Sequence, residues 1–391
     1  MTERRILPAS RPTPRQTASG RRLGGPPLAV RSTQSLAILP GLLVRDFDFE
    51  LPESAIAQHP AARGESRLLV LDAAGAERHR RVRDLPALLR AGDLLVVNDT
   101  RVLPARLFGR RTPGGGRVEL LLAERHGEVE WDVLLKPGRR ARPGTRLELG
   151  SHHEPGPVLD AEVVARGDDG RFRVRFSSPV EPHLDRLGHV PLPPYIHRPD
   201  EASDRERYQT VFAREPGAIA APTAGLHFDD ALLAALDARG VERATVTLHV
   251  GLGTFKPVVA ELVHEHRMDA ERYVVPPATA RAIARARAEG RRVVAVGTTV
   301  VRTLESVAAA HDGEVPAGAG ATAIFIYPGH RFRAVDLLLT NFHLPCSTLL
   351  MLVSAFAGKE RVLAAYGEAI EHGYRFYSYG DAMLVERAPA G

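Results

Sequence analysis

Hydrophobic and polar positions change rhythm along the chain, and each change marks a different kind of structure. From Met1 to about Pro40 they follow neither a helical nor a strand period, and the residues are chiefly Arg, Pro, Ser, Thr and Gly. Such a stretch buries too little apolar surface to offset its chain entropy, so residues 1–41 are read as a disordered leader. A globular region begins near Phe47. There Pro52-Glu53-Ser54 opens a short helix, Arg67-Leu68-Leu69-Val70-Leu71 reads as a buried strand, and Asp93 to Asn98 forms another after Gly92.

From Arg101 to about Pro182 the runs become short and alternating: Ala105 to Gly109, Arg117 to Leu122, Val129 to Leu135, Arg146 to Leu149, Leu159 to Ala165 and Phe172 to Phe176. Turn residues separate them, including Pro113-Gly114-Gly115-Gly116, Pro137-Gly138 and Asp168-Asp169-Gly170. Short strands at near-regular spacing predict a small antiparallel β-barrel, inserted as residues 101–182.

After Tyr195 helices and strands alternate. Helices are predicted over Asp229 to Arg239, Pro276 to Glu289, Val300 to Ala310, Leu349 to Phe356 and Glu360 to His372. Strands are predicted over Ala244 to Val250, Arg292 to Val296, Ala323 to Tyr327 and Leu337 to Thr340. The fold expected is an α/β core with a largely parallel sheet and flanking helices, built from residues 42–100 and 183–391 around the inserted barrel.

Charge alters this picture only locally. The net charge is +5, yet residues 1–45 carry eight Arg against one acid, leaving 44 basic and 46 acidic residues for the rest. A globally basic field is therefore excluded beyond the leader, and any nucleic-acid contact there must come from local Arg clusters. The single cysteine, Cys346, excludes an internal disulfide or a thiolate metal pair and suits a reducing compartment, so a cytoplasmic location is expected. The longest apolar runs, Leu36 to Val44 and Leu344 to Ala357, are too short or too interrupted to cross a bilayer.

Several segments carry candidate chemistry. Gly297-Thr298-Thr299 joins a buried strand to a helix, where backbone N–H groups and hydroxyls suit a carboxylate or ribose, or simply cap the helix. Arg302 follows one turn beyond Thr298, placing its guanidinium toward the same anion. His249 to Phe255 ends a strand in a loop containing Gly251, Gly253 and Thr254, but Pro257 and the missing third glycine exclude a dinucleotide fingerprint. Pro222 to Phe228 brings His227 toward the same sheet edge if the strands are neighbours. His264-Glu265-His266 with Asp269 and Glu271 lacks metal-ligand spacing, and no metal is expected. In Thr340 to Thr348, Cys346 near His343 permits a thiolate nucleophile, although a buried spectator thiol is favoured. Lys136, Arg139, Arg140, Arg142 and Arg146 suit either phosphates or a solvated loop.

From about Phe47 to Glu386 these segments resemble the S-adenosylmethionine:tRNA ribosyltransferase-isomerase family of queuosine biosynthesis. The resemblance rests on Phe47-Asp48-Phe49-Glu50-Leu51-Pro52, Ser66 to Leu71, Gly92 to Val102, Pro191-Leu192-Pro193-Pro194-Tyr195-Ile196, Pro222 to Phe228 and His249 to Phe255. It continues through Gly297-Thr298-Thr299 with Arg302-Thr303-Leu304-Glu305-Ser306, Thr340 to Phe356, and Ser378-Tyr379-Gly380-Asp381-Ala382-Met383-Leu384. It implies that S-adenosylmethionine is consumed as a ribosyl donor. The ribosyl group would pass to preQ1 at the wobble position of tRNA, giving epoxyqueuosine and releasing adenine and methionine. A sulfonium acidifies its neighbouring 5′ carbon, so the site must supply a base and exclude water.

On that resemblance His227, His343 and His249 are the base candidates, with His227 and His343 preferred. Thr298, Thr299 and Arg302 would bind the methionine carboxylate, and Gly251, Gly253 and Thr254 would approach ribose or adenine. Asp381 would meet the guanine-like edge or the aminomethyl ammonium; Asp99 and Arg101 would line the anticodon cleft; Lys136, Arg139 and Arg140 would hold phosphates. The chain departs from the family's His-x-Met-His-x-Glu pattern: His266-Arg267-Met268-Asp269-Ala270-Glu271 has Asp at the second His, leaving His266 and Glu271 as further candidates. The alternatives are a tRNA-binding protein of the same fold without catalysis and an S-adenosylmethionine-dependent RNA methyltransferase. The sequence leaves the oligomeric state open.

Overall fold

A computed structural model describes residues 41–74, 77–150, 157–167, 170–251, 253 and 258–388, with 157 and 158 described by backbone alone. Thr254, Asp168, Asp169 and the expected leader up to residue 40 lie outside the described residues.

Strands β1 (Arg67–Leu71) and β2 (Glu77–Arg81) form a hairpin, followed by the short helix α1 (Leu85–Leu88), β3 (Leu94–Asn98) and β4 (Thr100–Val102). The barrel comprises β5 (Arg106–Thr112), β6 (Arg117–Arg125), β7 (Glu130–Lys136), β8 (Arg146–Gly150), β9 (Pro157–Arg166) and β10 (Phe172–Phe176). It closes in the order β10-β7-β6-β5-β8-β9 with every pairing antiparallel. Leu107, Leu120, Trp131, Val133, Val163 and Val174 point inward, as the period of two along each strand requires.

Short helices α2 (Leu184–Leu187) and α3 (Asp204–Arg207) lead to β11 (Glu215–Ala218), which pairs with β4. There follow α4 (Asp230–Ala238), β12 (Glu242–Leu248), β13 (Glu271–Val275), α5 (Pro277–Ala288), β14 (Val293–Val296) and α6 (Thr298–Ala310). The chain continues through β15 (Gly318–Thr322), β16 (Leu337–Asn341), α7 (Thr348–Ala357), α8 (Lys359–Glu371) and β17 (Ala382–Glu386).

Nine strands form one sheet in the order β15-β13-β12-β3-β14-β16-β17-β1-β2. The expectation of a largely parallel sheet is corrected here: the sheet is mixed. Its centre, β12-β3-β14-β16, is parallel, and β17 runs parallel to β1, but β17 lies antiparallel to β16, and the outer pairings β1–β2, β12–β13 and β13–β15 are all antiparallel. The reversal at β17 follows from the connection. One crossover helix returns the chain parallel, whereas α7 and α8 in succession return it the other way.

The strand expected at Ala323 to Tyr327 is also corrected, because the strand lies just before it, in the Gly-Ala run Gly318–Thr322. Those small residues carry no hydrophobic alternation, and pairing with β13 alone reveals them. Central strands β3, β14 and β16 are buried throughout, which is why they read as continuous apolar runs. Helices α5 to α8 cover one face of the sheet, and α1 with α4 covers the other.

Candidate active site

The carboxyl ends of β3, β12, β14 and β16 lie along one edge of the sheet, and their loops end in Asn98, Val250, Gly297 and Asn341. Ligands of open α/β sheets bind at such edges. A cleft opens there, lined by Gly297, Thr298, Thr299, Thr340, Asn341 and His343 together with Tyr195, Tyr208, Ser347, Tyr377 and Ser378.

Two helices begin at this cleft. Gly297 has φ +92, a left-handed turn that a side chain would strain, and it swings the chain from β14 directly into α6. The N–H groups of Thr298 and Thr299 occupy the first turn of α6, where no helical acceptor exists, and they meet no acceptor among the described residues. Thr299 Oγ1 accepts from Asn98 Nδ2 at 3.3 Å, while Thr298 lines the cleft. Ser347 caps α7 by accepting from the Leu350 N–H at 3.2 Å and donating to Leu344 O at 2.8 Å. Both helix starts therefore present positive dipole ends to one volume.

His343 follows β16 and lines the cleft. Its backbone N–H donates to Tyr366 Oη at 3.0 Å, and Nε2 meets Thr340 Oγ1 at 2.9 Å. Burial pushes its imidazole down to about 3, so the ring is neutral. His227 lies beside the cleft, in an adjoining one of about 260 Å³ that shares Ser378. Its Nδ1 bonds Ser66 Oγ at 3.0 Å, and the Asn341 side-chain amide lies against the imidazole. Burial lowers this imidazole to about 4; the Asn341 amide opposes that shift and the Arg63 cation adds to it.

Other expected site residues lie away from this cleft. His249 turns away from the cleft: Nδ1 bonds Thr100 Oγ1 at 2.8 Å, and its ring presses on Gly217, where a Cβ would come within 2.8 Å. Burial and Arg272 lower its pKa against the pull of Asp99 and Glu215. Arg302 does not face the anion expected near Thr298. It is 3% exposed and pairs with Glu271, which also accepts from the Gly251 N–H at 2.9 Å. Glu271 and Arg302 thus anchor the glycine loop, and Gly251 and Gly253 pack on Glu271 and Asp269 rather than lining the cleft.

Asp381 is 2% exposed, and each of its oxygens accepts a backbone N–H at 2.8 Å, from Arg67 and from Arg375. Those bonds clamp the C-terminal turn, and Asp381 lines neither cleft. Asp99 is committed likewise, to the Thr247 hydroxyl at 2.6 Å and to Arg214 at 2.7 Å. His266 packs edge-on against Phe325, and Asp269, the departure from the family pattern, reaches Arg171 of the barrel end at 3.1 Å. Cys346 also lies outside the cleft lining; its thiol faces Asp48, and burial and that carboxylate raise its pKa, removing a thiolate role. Arg101, Lys136, Arg139 and Arg140 are exposed.

The queuosine biosynthesis protein family model matches residues 44–385. This chain belongs to that family. A curated relative from Anaeromyxobacter sp. (strain Fw109-5), named S-adenosylmethionine:tRNA ribosyltransferase-isomerase, is 57% identical over 350 residues, covering 88% of this chain and 99% of its own. A relative of the same name from Heliobacterium modesticaldum is 54% identical over 343 residues, covering 87% and 98%. A crystal structure of S-adenosylmethionine tRNA ribosyltransferase from Thermotoga maritima is 40% identical, covers 87% of this chain and 99% of its own, and has a TM-score of 0.49.

Tyr195 and Asn341 fall within the family segments but carry no expected role there, and Tyr208 and Tyr377 fall outside those segments. Asn341 carried a usable signal, a polar side chain ending an otherwise apolar strand. The tyrosines carried none, because isolated aromatics read as core.

The two buried histidines predict acid sensitivity. Each imidazole protonates near 6.5 in the unfolded chain but only at about 4 (His227) or about 3 (His343) when folded. The unfolded state binds more protons between those values, so stability is complete above about pH 6.5 and is lost as pH falls. The unfolding temperature should decline steeply below pH 6, and a His227→Asn/His343→Asn variant should show a shallower decline. Parallel profiles for the two proteins would refute the assignment.

Proposed function

We propose that this chain is an S-adenosylmethionine:tRNA ribosyltransferase-isomerase. It moves the ribosyl group of S-adenosylmethionine onto preQ1 at the wobble position of tRNA and forms epoxyqueuosine, adenine and methionine. Family membership supports the enzyme class. The observation that carries the site is the convergence of two helix N-termini and neutral His343 on one cleft.

The residues present fit an amino-acid nucleoside. First-turn N–H groups of α6 and the Thr298 hydroxyl hold a carboxylate without a cationic side chain. His343, held by Thr340 and facing the cleft, is the base candidate for the proton on the carbon beside sulfur. His227, beside Asn341, serves the adjoining space. Exposed Lys136, Arg139 and Arg140 on the barrel contact tRNA phosphates.

The test supplies purified protein with S-adenosylmethionine and preQ1-containing tRNA and follows the small products. Adenine and methionine in equal amounts are expected. S-adenosylhomocysteine would indicate methyl transfer instead, and absence of turnover would indicate a binding protein.

A further inference from the structure

No Asp, Glu, Lys or Arg lines the main cleft among the described residues. A cation entering it finds no carboxylate to neutralise it. What the cleft offers is aromatic: Tyr195, Tyr208, Phe342 and Tyr377 all contribute to its wall.

Tyr377 is held in an unusual conformation. Its φ is +74, a region that costs an ordinary side chain of order 1 kcal/mol and persists only where surroundings enforce it. The enforcement is visible: the Tyr377 N–H donates to Phe342 O at 3.1 Å, and its carbonyl accepts from Asn341 Nδ2 at 3.0 Å. The constraint sets the Tyr377 ring against that of Tyr195, with centroids 3.8 Å apart and planes inclined by 56°. Tyr195 is fixed in turn by a hydrogen bond between its hydroxyl and Ser378 Oγ. Burial raises the pKa of both phenols, so the rings stay neutral and present only their quadrupoles.

We propose that the Tyr377 and Tyr195 rings form the subsite for the sulfonium of the nucleoside substrate and select it over the neutral thioether. This inference rests on the function proposed above and assigns residues within it. Ring faces attract a desolvated cation. The contact also has a direction in time. When the carbon–sulfur bond to the ribosyl group breaks, its electron pair stays on sulfur, the positive charge disappears, and methionine leaves as a thioether that the rings no longer attract.

The experiment measures equilibrium binding of S-adenosylmethionine and S-adenosylhomocysteine to the full chain and to Tyr377→Phe, Tyr377→Leu and Tyr195→Leu variants, with folding checked by circular dichroism. The wild type should prefer the sulfonium by about tenfold. Tyr377→Phe keeps the ring and should keep the preference; each Leu variant should bring the ratio close to one. A folded Tyr377→Leu protein that retains the wild-type ratio overturns the inference and leaves the enzyme assignment standing. A wild type that binds both nucleosides equally also overturns it, whereas a wild type that binds neither removes the substrate reading itself.

Discussion

Glu271→Ala lowers the unfolding free energy by about 3–5 kcal/mol, the cost of leaving a buried charge without its partner. Arg302 and Glu271 are 3% and 4% exposed, and Arg302 has one further nitrogen already without a partner. Losing the carboxylate also removes the acceptor of the Gly251 N–H, so the glycine loop between β12 and β13 loosens with it. Urea unfolding reads the effect as a lower midpoint. The double replacement Glu271→Met/Arg302→Met should lose much less, because it removes both charges and fills the space with apolar atoms. The same geometry makes Arg302→Ala a destabilising change rather than a pure loss of substrate binding. A Glu271→Ala midpoint within about 1 kcal/mol of wild type, well under the penalty expected for a buried unpaired charge, would show that the pair is solvated.

His343→Ala reduces kcat by about 10²–10⁴-fold, the range for removing a positioned general base. Among the described residues the ring bonds one side chain, Thr340, while Tyr366 is held by the backbone N–H, so circular dichroism of the variant should match the wild type. His227→Ala should cost less, because that ring faces the adjoining cleft. Single-turnover measurements with S-adenosylmethionine and preQ1-tRNA separate the two, and equal losses would remove the distinction. Because burial keeps His343 unprotonated down to about 3, its role produces no fall in kcat between pH 8 and 5. An inflection near 6.5 that disappears in His343→Ala would contradict the buried, neutral ring.

Much of the architecture was legible because local periodicity reports which faces are buried. Alternating runs between Pro-Gly turns located the barrel strands to within a few residues, and the continuous apolar runs at Leu94–Asn98, Val293–Val296 and Leu337–Asn341 located the centre of the sheet. The same runs place Gly297-Thr298-Thr299 and Asn341 at strand ends, so the edge that carries the cleft followed from sequence, and the family resemblance followed from the order of those segments.

Strand direction and partner identity did not follow. Gly318–Thr322 has no apolar signal, and the reversal of β17 depends on two helices packing in succession. Arg302 lies one turn from Thr298, yet its charge goes to Glu271, 31 positions away in the chain; Asp381 is used by Arg67, 314 positions away. Sequence determined which segments are apolar and where they turn, because each depends on neighbours a few residues apart. Tertiary structure alone decided which buried polar atoms are already satisfied and which still face the cleft, because a hydrogen bond needs its partner within about 3 Å and the chain brings distant residues that close only when it packs.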